Sequence, residues 1–462
     1  MKKSRELDML NGPVFGKIWL FSFPLMLSGI LQLLYNAADL IVVGNDVGKT
    51  ALAAVGCTGP MVNLIVNLFM GLAVGSSVAV AQAYGAGRYA DVSDAVHTSI
   101  AISLIGSVLV GVVGFFACRP LLLLMGTPES VIDLSVVYVR IYFCGMPAIG
   151  VYNFGAAILR AVGDTRRPML FLVFSGLINV GLNLFFVLVF HMGVAGVSLA
   201  TVISQCIAAF LTVRCLMRAD GCVQFHPRQL RICRDKLKSI LYTGLPAGLQ
   251  SSLFSLSNML IQSSINTFGD VIMAGNTAAS NLDGFAYVAL NSFSQAAITF
   301  TGQNVGARRY DRLRRVCGAC SVSVLLTGFV IGVILILGGR PLLALYDNTD
   351  PQVIEAGMVR LQWMATTYFL CGFMEMFVGM LRGMGKSVMP MIVSLLGACV
   401  LRVVWIYSLF GRWPELWVVY ASYPVSWLLT ALTHFICFLV VYRRRLAQYQ
   451  KEEAEMCCED PA

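Results

Sequence analysis

The stretch that decides the fold is FGKIWLFSFPLMLSGILQLLYNAADLIVVG, residues 15–44, a long apolar segment near the start of the chain. A helix that spans a bilayer needs about 20 apolar residues, so this stretch is long enough to cross. It nevertheless contains one acid, Asp39, which is followed by further apolar residues rather than by a polar loop. An acid inside a membrane span is costly and commonly marks an ion or substrate path. The sequence therefore predicts a spanning helix with a functional carboxylate; the alternative is a helix cap or a structural pair with a buried arginine.

Helical spacing gives this first span a polar stripe. Gln32, Tyr35 and Asn36 fall on the same side of the helix as Asp39. Pro24 lies well inside the span, where it removes one N–H donor from the backbone ladder. We therefore expect the helix to present one polar face and to contain a hinge at Pro24.

The composition is that of a multi-pass membrane protein. Of 462 residues, 58% are hydrophobic and only 12% are charged, which is too little charge to cover a soluble protein of this size. The net charge is +9, but the basic residues lie in short loops between apolar segments, so nucleic-acid binding is not predicted. The four histidines are dispersed and form no HExxH-like pair, so neither an enzyme nor a cofactor is predicted.

Twelve spans are predicted, which makes the chain an all-α polytopic membrane protein. They cover approximately residues 15–43, 52–82, 94–117, 130–158, 168–190, 194–217, 240–267, 271–300, 316–338, 352–380, 389–410 and 416–442. Lys and Arg concentrate in alternate loops, and the other loops hold only Lys49, Arg119, Arg340 and Arg412. The positive-inside rule then places both termini in the cytoplasm and the protein in the cell membrane.

The chain contains an internal repeat of about half its length. Pro24 and Pro246 lie 222 residues apart, and the Gln82-x-x-Gly85 and Gln303-x-x-Gly306 motifs lie 221 residues apart. The predicted domains are a six-helix lobe at 1–217, a cytoplasmic linker at 218–239, a six-helix lobe at 240–442 and a cytoplasmic tail at 443–462. Because each half has an even number of spans, both halves share one orientation, an arrangement found in some secondary transporters.

Polar side chains recur in the fifth and sixth spans. Ser175, Asn179 and Asn183 are spaced at i, i+4 and i+8, and Thr201 lies on the next span. Their oxygens suit a monovalent cation, and they could equally hydrogen-bond a protonated Asp39. The alternative is that they link helices structurally, at ~0.6 kcal/mol for each bond.

The second half of the chain has its own polar and charged residues within spans. Asp39 falls opposite Ile261 in the repeat, so ion handling is predicted to lie in the first half. Arg402 is expected near Glu375 or Asp283, where a structural ion pair is one interpretation. Arg140 and Arg360 lie nearer the outer ends and are expected to snorkel.

These motifs resemble the multidrug and toxic compound extrusion (MATE) family over nearly the whole chain. The resemblance rests on Gln32…Tyr35-Asn-Ala-Ala-Asp39, the duplicated Gln-x-x-Gly-Ala-x-Arg-Tyr loops and Leu-Arg-x-x-Gly in both halves. It implies twelve helices in two six-helix lobes around a central cleft, and export of organic, often cationic compounds in exchange for H⁺ or Na⁺.

The resemblance also implies a cation or proton site, matched here by Asp39, Asn179, Asn183 and Thr201. The chain departs from some members at Asn183, where they carry a second Asp, and it lacks the helix-seven acid of another branch. No metal is expected beyond a possible Na⁺ at this site. The polar residues assigned to the substrate cavity are Gln32, Tyr35, Asn36, Asn153, Asn258, Gln262, Asp283, Glu375 and Arg402.

The predicted function is thus a cation-coupled antiporter for small molecules that works by alternating access, as a monomer in the lipid bilayer. The alternative keeps the fold and changes the cargo to a lipid-linked or polysaccharide precursor, as in flippases of the same superfamily. Such flippases commonly have extra spans and a strongly cationic cavity. Here twelve spans are predicted, and the deepest charge of the first lobe is acidic.

Overall fold

The computed structural model describes residues 7–346 and 350–459, and in these ranges the chain forms helices without strands. The side chains of residues 45, 46, 49 and 456–459 lie outside this description. The helices of the first half are α1 (Val14–Val42), α2 (Lys49–Gly85), α3 (Tyr89–Leu124), α4 (Glu129–Cys144), α5 (Met146–Ala161), α6 (Arg166–Leu184) and α7 (Gly193–Met217). Those of the second half are α8 (Arg234–Asn266), α9 (Asp270–Gly306), α10 (Tyr310–Ala344), α11 (Pro351–Ala365), α12 (Tyr368–Gly383), α13 (Val388–Ser394), α14 (Leu401–Trp405) and α15 (Leu416–Glu459).

The all-α, twelve-span prediction is confirmed. Within the described residues, eight helices are individually long and apolar enough to cross a membrane. Two bent pairs, α4–α5 at 49° and α11–α12 at 48°, bring the number to ten when each is counted as one span. Helices α8 and α9 complete the twelve; at 33 and 37 residues they are long enough, but polar residues dilute their apolar character.

Four stretches of π-helix interrupt or extend the spans. They are Val43–Val47, Phe185–Val189, Leu395–Val400 and Ile406–Phe410. Such wider turns are rare and are found frequently at functional sites. The first two directly follow the segments of α1 and α6 that carry the candidate cation site, and the last two flank Arg402.

By contacts, the chain divides into two units. The first contains residues 24–80 and 88–248, and the second contains residues 7–23, 81–87 and 249–462. Each unit therefore includes a short segment from the other half of the sequence, and the change of unit within α1 falls at Pro24, the predicted hinge. The predicted lobe boundaries and the hinge remain predictions.

The segment before α1 is held by basic side chains of the second unit. Arg312 donates from Nη2 to the carbonyl oxygens of Asn11 and Gly12, at 2.8 Å in each case. Arg309 donates to the carbonyl oxygen of Leu10. These bonds fix the backbone before α1, so Met9 is fully buried.

The linker is held in the same way within the first unit, against the start of α3. Lys236 pairs with Asp91 at 2.8 Å, and the backbone N–H of Cys233 donates to Thr98 Oγ1 at 3.0 Å. The linker is therefore an ordered part of the first unit, although the sequence presents it as a polar interruption.

The duplicated glutamine–glycine motifs meet in the second unit. A Cβ on Gly85 would overlap the carbonyl oxygen of Gln303, and a Cβ on Gly306 would overlap that of Gln82. Gln82 also donates from Nε2 to the carbonyl oxygen of Gly383, at 2.8 Å, at the end of α12. The repeat thus keeps glycine at both positions because the ends of α2 and α9 pack backbone against backbone.

The topology gives a direct prediction. An epitope inserted beside Arg228 is expected to be accessible only after the cells are permeabilised, whereas one beside Arg340 is expected to be accessible on intact cells. The reason is the concentration of Lys and Arg in alternate loops. Antibody labelling of intact and permeabilised cells measures this. An accessible epitope beside Arg228 on intact cells would require an odd number of spans in the first half.

Candidate functional site

The candidate cation site lies within the first unit, where α1, α6 and α7 contribute one polar side chain or more each. Asp39 projects from the last turns of α1. Asn179 and Asn183 are one turn apart on α6, and Thr201 lies on α7, which packs against α6. The amides are 5% and 1% exposed, whereas Asp39 is only partly buried. The structure therefore brings together all four residues that the sequence associates with ion coupling.

These residues form one chain of contacts. Asn183 donates from Nδ2 to the Oδ1 of Asp39. The same nitrogen lies 3.4 Å from the Oδ1 of Asn179, and Asn179 Nδ2 lies 3.4 Å from Thr201 Oγ1. Thr201 donates its own hydroxyl proton to the carbonyl oxygen of Val197 at 3.0 Å, so its oxygen is available as an acceptor. A change at Asp39 can therefore be passed along α6 to α7.

One atom of this chain has no partner. Asn183 Oδ1 is buried and makes no hydrogen bond among the described residues. A buried polar atom without a partner carries a desolvation cost of about 1–3 kcal/mol, so it indicates a second arrangement or a ligand at this position. The amide already faces the carboxylate with its nitrogen, and its oxygen is available for a proton donor or a cation.

Tight packing holds α1 against α6 beside this site. The ring of Tyr35 lies over Gly176, where a Cβ would overlap it, and its hydroxyl donates to the carbonyl oxygen of Val173 at 3.3 Å. Gln32 and Asn36 are exposed side chains of the same helix. Asn153 donates to the carbonyl oxygen of Ile149 on its own helix, at 2.9 Å. The polar stripe of α1 is thus present, but the structure does not join Asn153 to it.

The second unit contains a buried ion pair. Arg360 on α11 donates from Nε to the Oδ2 of Asp283 on α9 at 2.8 Å, and from Nη1 to Asn276 Oδ1 at 2.6 Å. Tyr368 donates to the other oxygen of Asp283, and Asn276 donates to Gln262 Oε1 at 2.9 Å. The expectation that Arg360 snorkels to the interface is wrong, because its side chain is only 8% exposed and its charge is satisfied by Asp283.

Arg402 is not the partner of an acid. Its Nε donates to Ser426 Oγ at 2.7 Å, and Nη1 lies 3.5 Å from Asn258 Oδ1. Among the described residues it makes no salt bridge with Glu375 or Asp283, so the predicted ion pair is not formed. The reason is that Arg360 occupies Asp283, while the guanidinium of Arg402 lies over the ring of Tyr423, 4.4 Å from its centroid.

Glu375 on α12 is partly buried. Its backbone carbonyl oxygen accepts a hydrogen bond from Ser294 at 2.9 Å. The structure therefore separates Glu375 from the Asp283–Arg360 pair and from Arg402. No group of three His, Cys, Asp or Glu side chains that could hold a metal occurs in the part of the chain that is described.

Comparison with known proteins identifies the family. The sequence profile of the MatE family matches residues 24–185 and again 246–408, so it covers both halves of the chain with the repeat that the sequence predicts. The chain belongs to the MatE family. The multidrug and toxic compound extrusion resemblance is thereby confirmed, and the chain is a member of a family of multi-pass membrane transporters.

Individual relatives agree with this assignment over nearly their whole length. The chain is 29% identical over 410 residues to the probable multidrug resistance protein YpnP of Bacillus subtilis (strain 168), covering 88% of this chain and 91% of the relative. It is 28% identical over 445 residues to the probable multidrug resistance protein YoeA of the same strain, covering 94% and 95%. A solved structure of a multidrug resistance MATE family transporter of the MOP superfamily, in an outward-facing conformation, matches with TM-score 0.89 and 25% identity, covering 98% and 100%.

Proposed function

We propose that the protein exports organic cationic or amphipathic compounds from the cell in exchange for a cation that enters through Asp39. The relatives named above are described as multidrug resistance proteins, which supports a drug-like cargo. The observation that carries the coupling proposal is the contact of Asp39 with Asn183, continued through Asn179 to Thr201. The protein works by alternating access, as a monomer in the cell membrane with both termini in the cytoplasm.

The arrangement favours a proton over Na⁺ as the coupling ion. An ionised carboxylate accepts hydrogen bonds only, and Asn183 presents an N–H to it. A protonated Asp39 would instead donate its O–H, and the Oδ1 of Asn183, which has no partner among the described residues, can accept it once the amide turns. A single amide thus serves both protonation states. A Na⁺ site would need several oxygens at once, whereas Asn183 presents nitrogen to the carboxylate.

Transport by everted membrane vesicles tests this proposal. Vesicles that contain the protein are energised separately with a pH gradient and with a Na⁺ gradient, and uptake of a fluorescent organic cation is followed. We expect uptake with the pH gradient and none with the Na⁺ gradient alone. Uptake driven by Na⁺ would reassign the ion, and uptake without either gradient would remove the antiport mechanism.

The flippase alternative makes a different prediction in the same vesicles. A flippase would translocate a lipid-linked precursor and would leave the fluorescent cation outside under both gradients. The buried acid–amide contact favours the antiporter, because flipping of a pyrophosphate-linked lipid calls for a cationic rather than an acidic site in the first unit.

The missing second carboxylate of the first unit gives a specific prediction. Asn183→Asp is expected to move the pH profile of export toward higher pH, because two neighbouring carboxylates repel one another when both are ionised and one proton is then held more tightly. Asn183→Leu removes the amide without adding charge, so it is expected to weaken coupling without that shift. The pH dependence of transport in proteoliposomes measures both. An unchanged profile in a well-folded Asn183→Asp protein would exclude position 183 from the site.

A further inference from the structure

The second unit contains a cavity at the position that the repeat makes equivalent to the cation site. With the offset of 222 residues, Asp39 corresponds to Ile261, and Thr201 corresponds to Tyr423. Both Ile261 and Arg402 line a cavity of about 310 Å³ between α8 and the α14 region. The first unit thus has an acid where the second has an apolar side chain, and the second unit supplies a base beside it.

The charge of Arg402 lacks an anionic partner among the described residues. The side chain is 2% exposed, and its Nη2 makes no hydrogen bond. The rings of Tyr423 and Trp427 lie 4.4 and 5.8 Å from the guanidinium, which offsets part of the cost of burial. A buried charge is nevertheless expensive unless it is paired and fully hydrogen-bonded. Arg360, 42 positions earlier, has its carboxylate; Arg402 has only neutral neighbours.

The rest of the cavity is suited to an apolar body with a polar end. Leu260, Ile406 and Phe410 supply apolar surface, and the hydroxyls of Ser264 and Thr267 lie along one side. Tyr407 is 79% exposed, so the cavity opens at the surface of the unit. Its volume is at the lower end of the range for small-molecule sites.

We propose that this cavity binds an anionic amphiphile, with its carboxylate or phosphate group on Arg402 and its apolar tail along Leu260, Ile406 and Phe410. The inference goes beyond the proposed function, because it assigns a second site of opposite polarity in the other unit. It rests on the geometry of the second unit alone and does not depend on which ion couples transport.

Head-group selectivity tests the proposal on the folded protein. The Tyr407→Trp variant, in zwitterionic nanodiscs, is titrated with bromododecanoate and with bromododecyltrimethylammonium, and the quenching of the added fluorescence is read by difference from the parent. We expect saturable quenching by the carboxylate and at least tenfold weaker binding of the cationic probe, since hydrogen bonds to charged groups are the strong ones. Equal binding of the two probes would overturn the proposal and leave a non-selective apolar groove.

Substitution of the arginine gives the second arm. Arg402→Gln in the same background is expected to weaken bromododecanoate binding at least tenfold, whereas Arg140→Gln, at an exposed arginine of the first unit, leaves it unchanged. If Arg402→Gln fails to fold, Ile261→Asp supplies the acid that the repeat lacks, and it is expected to abolish binding of the carboxylate probe. Undiminished binding in a folded variant of either kind would make Arg402 a purely structural residue.

The source of the amphiphile is read from competition. Replacing part of the nanodisc lipid with phosphatidylglycerol is expected to displace bromododecanoate if a membrane lipid occupies the site. If it does not, and dodecanoate in solution does, the ligand is a free amphiphile. Displacement by inorganic phosphate alone would contradict the need for an apolar tail.

Discussion

Replacing Asp39 with Asn is expected to reduce gradient-driven export to the level of membranes without the protein. The change preserves the size and the polar contact with Asn183 but removes the group that can exchange a proton. The folded structure is expected to be almost unaffected, because an amide oxygen can accept the hydrogen bond that the carboxylate accepts. Uptake of the fluorescent cation by everted vesicles, at matched expression, measures the loss.

Asp133→Asn is the matched control for this prediction. Asp133 is also an acid of the first unit, but its side chain is 80% exposed, and it pairs with Arg119 at 3.3 Å on the surface. An exposed pair of this kind contributes little, so export by this variant is expected to equal that of the parent. Normal export by Asp39→Asn, or an equal loss in both variants, would contradict the assignment of the site to Asp39.

Breaking the buried ion pair of the second unit is expected to have the largest effect on stability. Arg360→Met leaves the carboxylate of Asp283 buried without its counter-charge, and removes the donor to Asn276. Removing one partner of a buried pair costs about 3–5 kcal/mol, so the apparent unfolding temperature of the purified protein should fall sharply. Thermal unfolding followed by size-exclusion chromatography in detergent measures the change.

Two further variants separate pairing from a general effect of losing a charge. Arg340→Met removes an arginine whose pair with Glu355, at 2.9 Å, is exposed, and it is expected to change the free energy of unfolding by less than about 1 kcal/mol. The double variant Arg360→Met with Asp283→Leu is expected to regain most of the lost stability, because neither charge is then left unpaired. A single variant as stable as the double variant would show that the pair is not a stabilising element.

The sequence was sufficient for the fold and for the candidate cation site. The spans follow from long apolar runs, and the repeat follows from a constant offset that both prolines and both glutamine–glycine motifs share. The neighbours of Asp39 could be predicted because helical spacing puts Asn179 and Asn183 on one face of a single helix. That this face meets α1 and α7 came from the resemblance to the family, since spacing within one helix does not say which helix packs against it.

The second unit shows what the sequence could not provide. Asp283 and Arg360 are 77 residues apart on different helices, so no local pattern relates them. Arg360 lies near a predicted span end, where a long basic side chain usually reaches the interface. Asn276, which is fully buried and links Arg360 to Gln262, was also missed. Its only signal is an amide within a span, and tertiary packing alone decides whether such an amide joins a network.

The measurement that tests the central claim most directly is ion movement driven by the transported compound. Purified protein is reconstituted into proteoliposomes with a pH-sensitive dye inside, with equal pH and equal Na⁺ on both sides, and a gradient of the organic cation is the only driving force. Exchange through Asp39 predicts that the flux of the compound drives protons in the opposite direction, in the parent protein and not in Asp39→Asn. Movement of the compound without any proton flux, or an equal proton flux in Asp39→Asn, would contradict proton-coupled antiport through this residue.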